Sequence, residues 1–138
     1  MRALLSISVL AFIIAAYNLL TFSGSMLQSE SLFLDTVLPS GGEIFFNVGH
    51  VFIVAGLLAL FIEILKAARL SNGAIVDHIL SNATFVVALV EFLLVPACGT
   101  VTFFLLTVMT HIDVVAGFSV TIFTARRDMS FTRGDGSF

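Results

Sequence analysis

Residues 87–118, VALVEFLLVPACGTVTFFLLTVMTHIDVVAGF, decide how this chain reads. Two apolar stretches flank Pro96-Ala97-Cys98-Gly99, a tight turn between two helices. Each stretch carries ionisable residues that an apolar helix does not need: Glu91 on the first, His111 and Asp113 on the second. Such groups are costly in hydrocarbon and face protein or water instead of lipid. The hairpin is therefore expected to be the inner pair of a helical bundle.

Composition points the same way. The chain has 138 residues, 59% hydrophobic and 11% charged, whereas soluble domains are roughly 45–50% apolar and about 25% charged. The excess lies in four runs, at about 3–22, 44–65, 74–95 and 100–124. At ~1.5 Å per residue these are roughly 30–37 Å long, enough to cross a hydrocarbon core. The expected fold is all-α: a polytopic membrane protein, one four-transmembrane-helix bundle spanning 1–138, with a frayed cytoplasmic tail over 125–138. The first run is longer than the apolar region of a signal peptide and reads as a retained anchor.

Charge placement sets the expected orientation. Arg2, Lys66, Arg69, Arg126, Arg127 and Arg133 all fall on one side of a four-span arrangement, and Glu30, Asp35 and Glu43 on the other. By the positive-inside rule both termini are cytoplasmic. In the outer loop, Phe33 with Val37 and Leu34 with Leu38 have four-residue spacing, which predicts a short surface helix over 29–38 stopped by Pro39. Glu43 is expected at the N-terminal end of the second helix and Asn72-Gly73 beyond its C-terminal end.

The intramembrane polar residues sort by depth. Asn18, Asn47, His50 and Glu91 share an outer layer, roughly 5–9 Å from the outer face by helix rise. Glu91 is expected to meet His50, Asn18 or Asn47. His111 and Asp113 form a deeper mid-membrane pair, at roughly 17–20 Å. Glu63, Asp77 and His78 lie near the inner surface, where Glu63 finds a basic partner or water. Small and polar residues mark the packing faces: Gly49, Gly56 and Glu63 recur every seven residues, as do Asp77, Thr84 and Glu91, while Thr110, Asp113, Gly117 and Thr121 line the last run.

Catalytic motifs are missing. There is no glycine-rich phosphate loop, no cysteine pair and no histidine pair at metal-helix spacing, so neither an enzyme nor a metal site is expected. Asn82-Ala83-Thr84 matches a glycosylation sequon inside a span and Arg133-Gly134-Asp135 an adhesion tripeptide on the cytoplasmic side; both are coincidental.

Three stretches, residues 61–69 (FIEILKAAR), 90–96 (VEFLLVP) and 103–128 ending IFTARRD, resemble an uncharacterised family of small four-helix bacterial inner-membrane proteins. The resemblance covers about the last three runs. It implies a four-span fold in the bacterial inner (cytoplasmic) membrane and carries no activity with it. The leading expectation is an accessory or scaffold subunit whose partners are the lipid bilayer and a larger membrane complex or further copies of itself, with no nucleic acid. A small proton-coupled transporter using Glu91 or Asp113 is the first alternative. A haem or quinone site using His50 and His111 is the second.

Overall fold

A computed structural model describes residues 8–24, 34–67 and 74–132. Among these, the order is α1 (Val9–Phe22), β1 (Leu34–Val37), β2 (Glu43–Phe46), α2 (Val48–Ala67), α3 (Ala74–Leu94), a 3-10 turn (Pro96–Cys98) and α4 (Val101–Thr132). The protein is mostly helical, as its long apolar runs require. Two stretches, Val48–Ala67 and Val101–Val120, are long and apolar enough to cross a membrane. The apolar helices Val9–Phe22 and His78–Leu94 are shorter. Among the described residues, then, two spans rather than four meet the length requirement, because the 14 residues of α1 rise only ~21 Å against a core of about 30 Å. Residues 1–7, the start of the first predicted span, lie outside the described residues, as do 68–73 with the predicted stop of α2.

The predicted surface helix is corrected. Residues 34–37 form a strand, paired antiparallel with Glu43–Phe46 in the register Leu34↔Phe46, Asp35↔Phe45, Thr36↔Ile44 and Val37↔Glu43; residues 29–33 lie outside the described residues. Glu43 therefore sits in a strand, and α2 begins at Val48. The cause is the turn chemistry. Leu38-Pro39-Ser40-Gly41 closes with Gly41 N–H donating to Leu38 O at 2.8 Å, and Leu38 N–H donates to Gly42 O at 2.8 Å. Proline presets the second turn position, and Gly41 adopts φ +83°, which favours glycine. Thr36, Val37, Ile44, Phe45 and Phe46 on either side are β-branched or aromatic and suit a pleated ribbon.

The far end is also corrected. Helix α4 continues to Thr132, so much of the predicted frayed tail is helical backbone. No Gly or Pro interrupts the chain between Gly117 and Gly134, which leaves nothing to stop the helix.

The core is small and aromatic at one end. Leu10, Ile14 and Tyr17 of α1 meet Ala59 and Leu60 of α2, Ala88 of α3, Cys98, and Phe103, Leu106 and Met109 of α4. Helix α4 is the central element, packing most extensively on α2 and α3. The glycine stripe explains the close approach of α2 and α4. A Cβ at Gly49 would lie 2.5 Å from Thr102 Oγ1, and one at Gly56 would lie 2.7 Å from Leu106 Cδ2 and 2.8 Å from Met109 Sδ. These successive pairings also show that α2 and α4 run parallel. Gly49, Gly56 and Glu63 are all buried, as the seven-residue repeat predicts.

Candidate functional site

Two polar clusters sit inside the bundle. The first lies where the 3-10 turn meets α1. Asn18 Nδ2 on α1 donates to Glu91 Oε2 on α3 at 2.7 Å. Its carbonyl Oδ1 accepts from Cys98 Sγ at 3.7 Å, so one amide bridges two elements of opposite polarity. Beside it, the Tyr17 and Thr100 hydroxyls hydrogen-bond at 2.6 Å. Thr100 Oγ1 also accepts from Phe103 N–H at 3.1 Å, satisfying one of the orphan donors at the start of α4. The Tyr17 ring packs edge-on to Phe52 at 5.4 Å and tilted on Phe103 at 5.3 Å. Cys98 is fully buried. Burial pushes its thiol pKa up, and the nearby Glu91 charge adds to this; the group is a packed thiol and not a nucleophile.

Of the four residues expected in this layer, the structure brings Asn18 and Glu91 together and sets Asn47 and His50 apart. Asn47 Oδ1 accepts from His50 N–H at 2.9 Å, and His50 Nδ1 accepts from Asn47 N–H at 3.1 Å. The His50 ring is exposed and leans edge-on against Phe46, 6.3 Å between centroids. The pair engages the start of its own helix. Shared depth cannot distinguish two groups that face each other across helices from two that cap one helix.

The second cluster lies toward the other end. Glu63 on α2 is only 5% exposed. Its Oε1 accepts from Val9 N–H at the start of α1, and its Oε2 pairs with Lys66 Nζ at 3.2 Å. The carboxylate is thus buried between α1 and α2, with Lys66 as its basic partner. Asp113 on α4, 6% exposed, hydrogen-bonds with Ser81 on α3, and Glu63, Lys66 and His78 are its ionisable neighbours. His78 inserts against α4: a Cβ at Gly117 would lie 2.6 Å from its Nδ1, and its ring meets Phe118 edge-on at 4.0 Å. The side chain of Asp77 lies outside the described residues.

His111 and Asp113, grouped by depth, have different surroundings. His111 is exposed and its ring packs on Phe85 at 5.0 Å, while Asp113 is buried. Two positions along an α-helix are separated by ~200°, so the two side chains leave opposite sides of α4. Tyr17, Ser81, Cys98 and Thr100 were missed as site members, being uncharged. Thr100 had a signal, since a threonine directly before an apolar helical run marks an N-cap.

His50 and His111 are also poorly placed to share one haem. With Gly49 level with Thr102, His50 lies near the start of α4 and His111 roughly 12 Å further along the parallel pair. No group of three or more His, Cys, Asp or Glu able to hold a metal ion occurs among the described residues. No protein-family model, curated protein or solved structure matches this chain.

Proposed function

We propose that this protein is a small integral membrane accessory subunit, a four-span bundle with both termini cytoplasmic that packs against a larger membrane complex. One observation carries the membrane part. The two longest apolar stretches are only 28% and 39% buried inside the protein, whereas the core helix of a soluble protein is mostly buried. Val54, Leu57, Leu58, Phe61, Ile62 and Leu65 on α2 all face outward. So large an apolar surface needs lipid or protein to cover it. In the four-span reading, α3 tilts within the bilayer, and the Lys and Arg asymmetry sets the orientation.

The disposition of the buried polar groups favours a structural role. Glu91 is held by Asn18, Asp113 by Ser81, and Glu63 by Lys66 and Val9 N–H. A proton-coupled carrier needs a carboxyl that exchanges protons with both sides, and these are tied to neighbouring helices instead. His50 and His111, the residues of the haem reading, are engaged at separate levels.

Native gel electrophoresis of membranes solubilised in mild detergent, with mass spectrometry and an absorption spectrum of the purified material, tests this reading. The expected result is migration with a larger complex in fixed stoichiometry and no Soret band. Migration as the isolated chain, together with proton flux in liposomes that Glu91→Gln abolishes, would replace it with the carrier reading.

A further inference from the structure

The reciprocal bonds at the start of α2 have the form of a capping box. Asn47 occupies the N-cap, its side chain accepting from the backbone N–H of the third helical residue, and that residue's side chain accepts from the N-cap N–H. The returning acceptor is ordinarily a Glu or Gln oxygen. Here it is Nδ1 of His50, and an imidazole nitrogen accepts only while it carries no proton. The bond therefore requires the neutral ring with its proton on Nε2.

We propose that Asn47 and His50 form a proton-sensitive latch that fixes the β1–β2 hairpin to α2. Protonation of His50 turns Nδ1 from acceptor to donor, so the Asn47 N–H loses its partner and two donors are left facing each other. The imidazolium also adds positive charge to the first turn of a helix, the end where cations are unfavourable. The first turn of α2 is packed on α4, with Gly49 seated against Thr102 at a distance that leaves no room for a Cβ. The hairpin side can yield: residues 34–43 are exposed throughout, and two strands alone are marginal in water. His50 leans on Phe46 of β2, so turning the ring acts directly on the strand.

Among the described residues of the hairpin, no carboxylate shares the face of Phe46 on which the ring leans. In the hairpin register, Phe46 shares a face with Leu34, Ile44 and Thr36, and the carboxylates Asp35 and Glu43 occupy the opposite face. Helix α4 presents Thr102 at this level. On α1 and α3, Tyr17 is bonded to Thr100 and Glu91 to Asn18. The latch rests on these hydrogen bonds and not on the membrane orientation or on the accessory role.

The test is nitrogen-15 NMR of the full chain in detergent micelles at pH 7.5 and 5.5. It reads the His50 ring nitrogens and the amide-exchange protection factor of Asn47, corrected for intrinsic exchange. The expected result is an Nε2–H tautomer at the higher pH and a roughly five- to tenfold loss of Asn47 protection at the lower, the scale of one hydrogen bond. His50→Gln, whose amide oxygen accepts at either pH, keeps the protection at both; His50→Leu lacks it at both. An Nδ1–H tautomer at pH 7.5, equal protection in the wild type at both pH values, or the same acid-induced loss in His50→Gln would each overturn the proposal.

Discussion

Asn18 on α1 and Glu91 on α3 are joined by a 2.7 Å hydrogen bond from the amide Nδ2 to the carboxylate, and this bond ties the first helix to the central hairpin. Deleting either partner strands the other in a half-buried site. Glu91→Leu and Asn18→Leu are each expected to destabilise the bundle by about 1–3 kcal/mol, and Glu91→Gln by less, because Gln retains an acceptor for Nδ2. A double-mutant cycle of unfolding free energies in mixed micelles measures the coupling. Purely additive losses would show that the contact contributes nothing of its own.

Glu63 is the second tie between helices. Its carboxylate receives Val9 N–H and Lys66, so Glu63→Leu is expected to cost about 1–3 kcal/mol by leaving both donors without their acceptor. Glu63→Gln keeps an oxygen for Val9 and is expected to cost less. Equal thermal midpoints for Glu63→Leu and the wild type would contradict the burial of this group as described.

The glycine stripe sets the separation of α2 and α4. At Gly56 the atoms a Cβ would meet are the ends of Leu106 and the sulfur of Met109, which shift by small amounts. Gly56→Ala is therefore expected to be mild and Gly56→Ile to cost about 1–3 kcal/mol or more through overpacking. Thermal unfolding of both variants checks the order; a Gly56→Ile protein as stable as Gly56→Ala would mean the helices are not held in contact there.

These relationships were legible in the sequence to different degrees. The seven-residue recurrence of Gly49, Gly56 and Glu63 was readable because glycine and charge are rare in apolar helices and their spacing fixes a face. Asn18 with Glu91 was readable as a shared depth. The hairpin was not: over four residues, Phe33 with Val37 fits a helical period as well as Leu34-Asp35-Thr36-Val37 fits a strand, and only Pro39-Ser40-Gly41-Gly42 between two β-forming runs separates the two. The link between Ser81 and Asp113 was invisible, because a serine in an apolar run carries no charge to mark it. His111 and Asp113 were grouped by depth, and depth does not tell which side of α4 each side chain leaves.

Cys98 supplies a pH prediction with a definite sign. Its pKa is raised above the model-compound value of 9.0 in the fold, so above about pH 9 the unfolded thiol loses a proton that the folded one keeps. The folded state then binds more protons, and stability falls as pH rises through that window. This contribution is fully present below pH 9, and Cys98→Ala is expected to flatten the alkaline limb. Alkylation by a small maleimide at pH 7.5 should be slow in the folded protein and prompt after denaturation in SDS. Rapid labelling of the folded protein would contradict the burial of Cys98.

The central claim is a membrane bundle oriented by its basic residues, and topology reporters test it most directly. Fusions after Phe138 and after Ser71 are expected to report the cytoplasm, and one inserted within residues 25–40 the periplasm, since in the four-span reading every Lys and Arg falls on the side of the first two. A periplasmic C-terminus, or recovery of the unfused chain in the soluble fraction, would contradict the account.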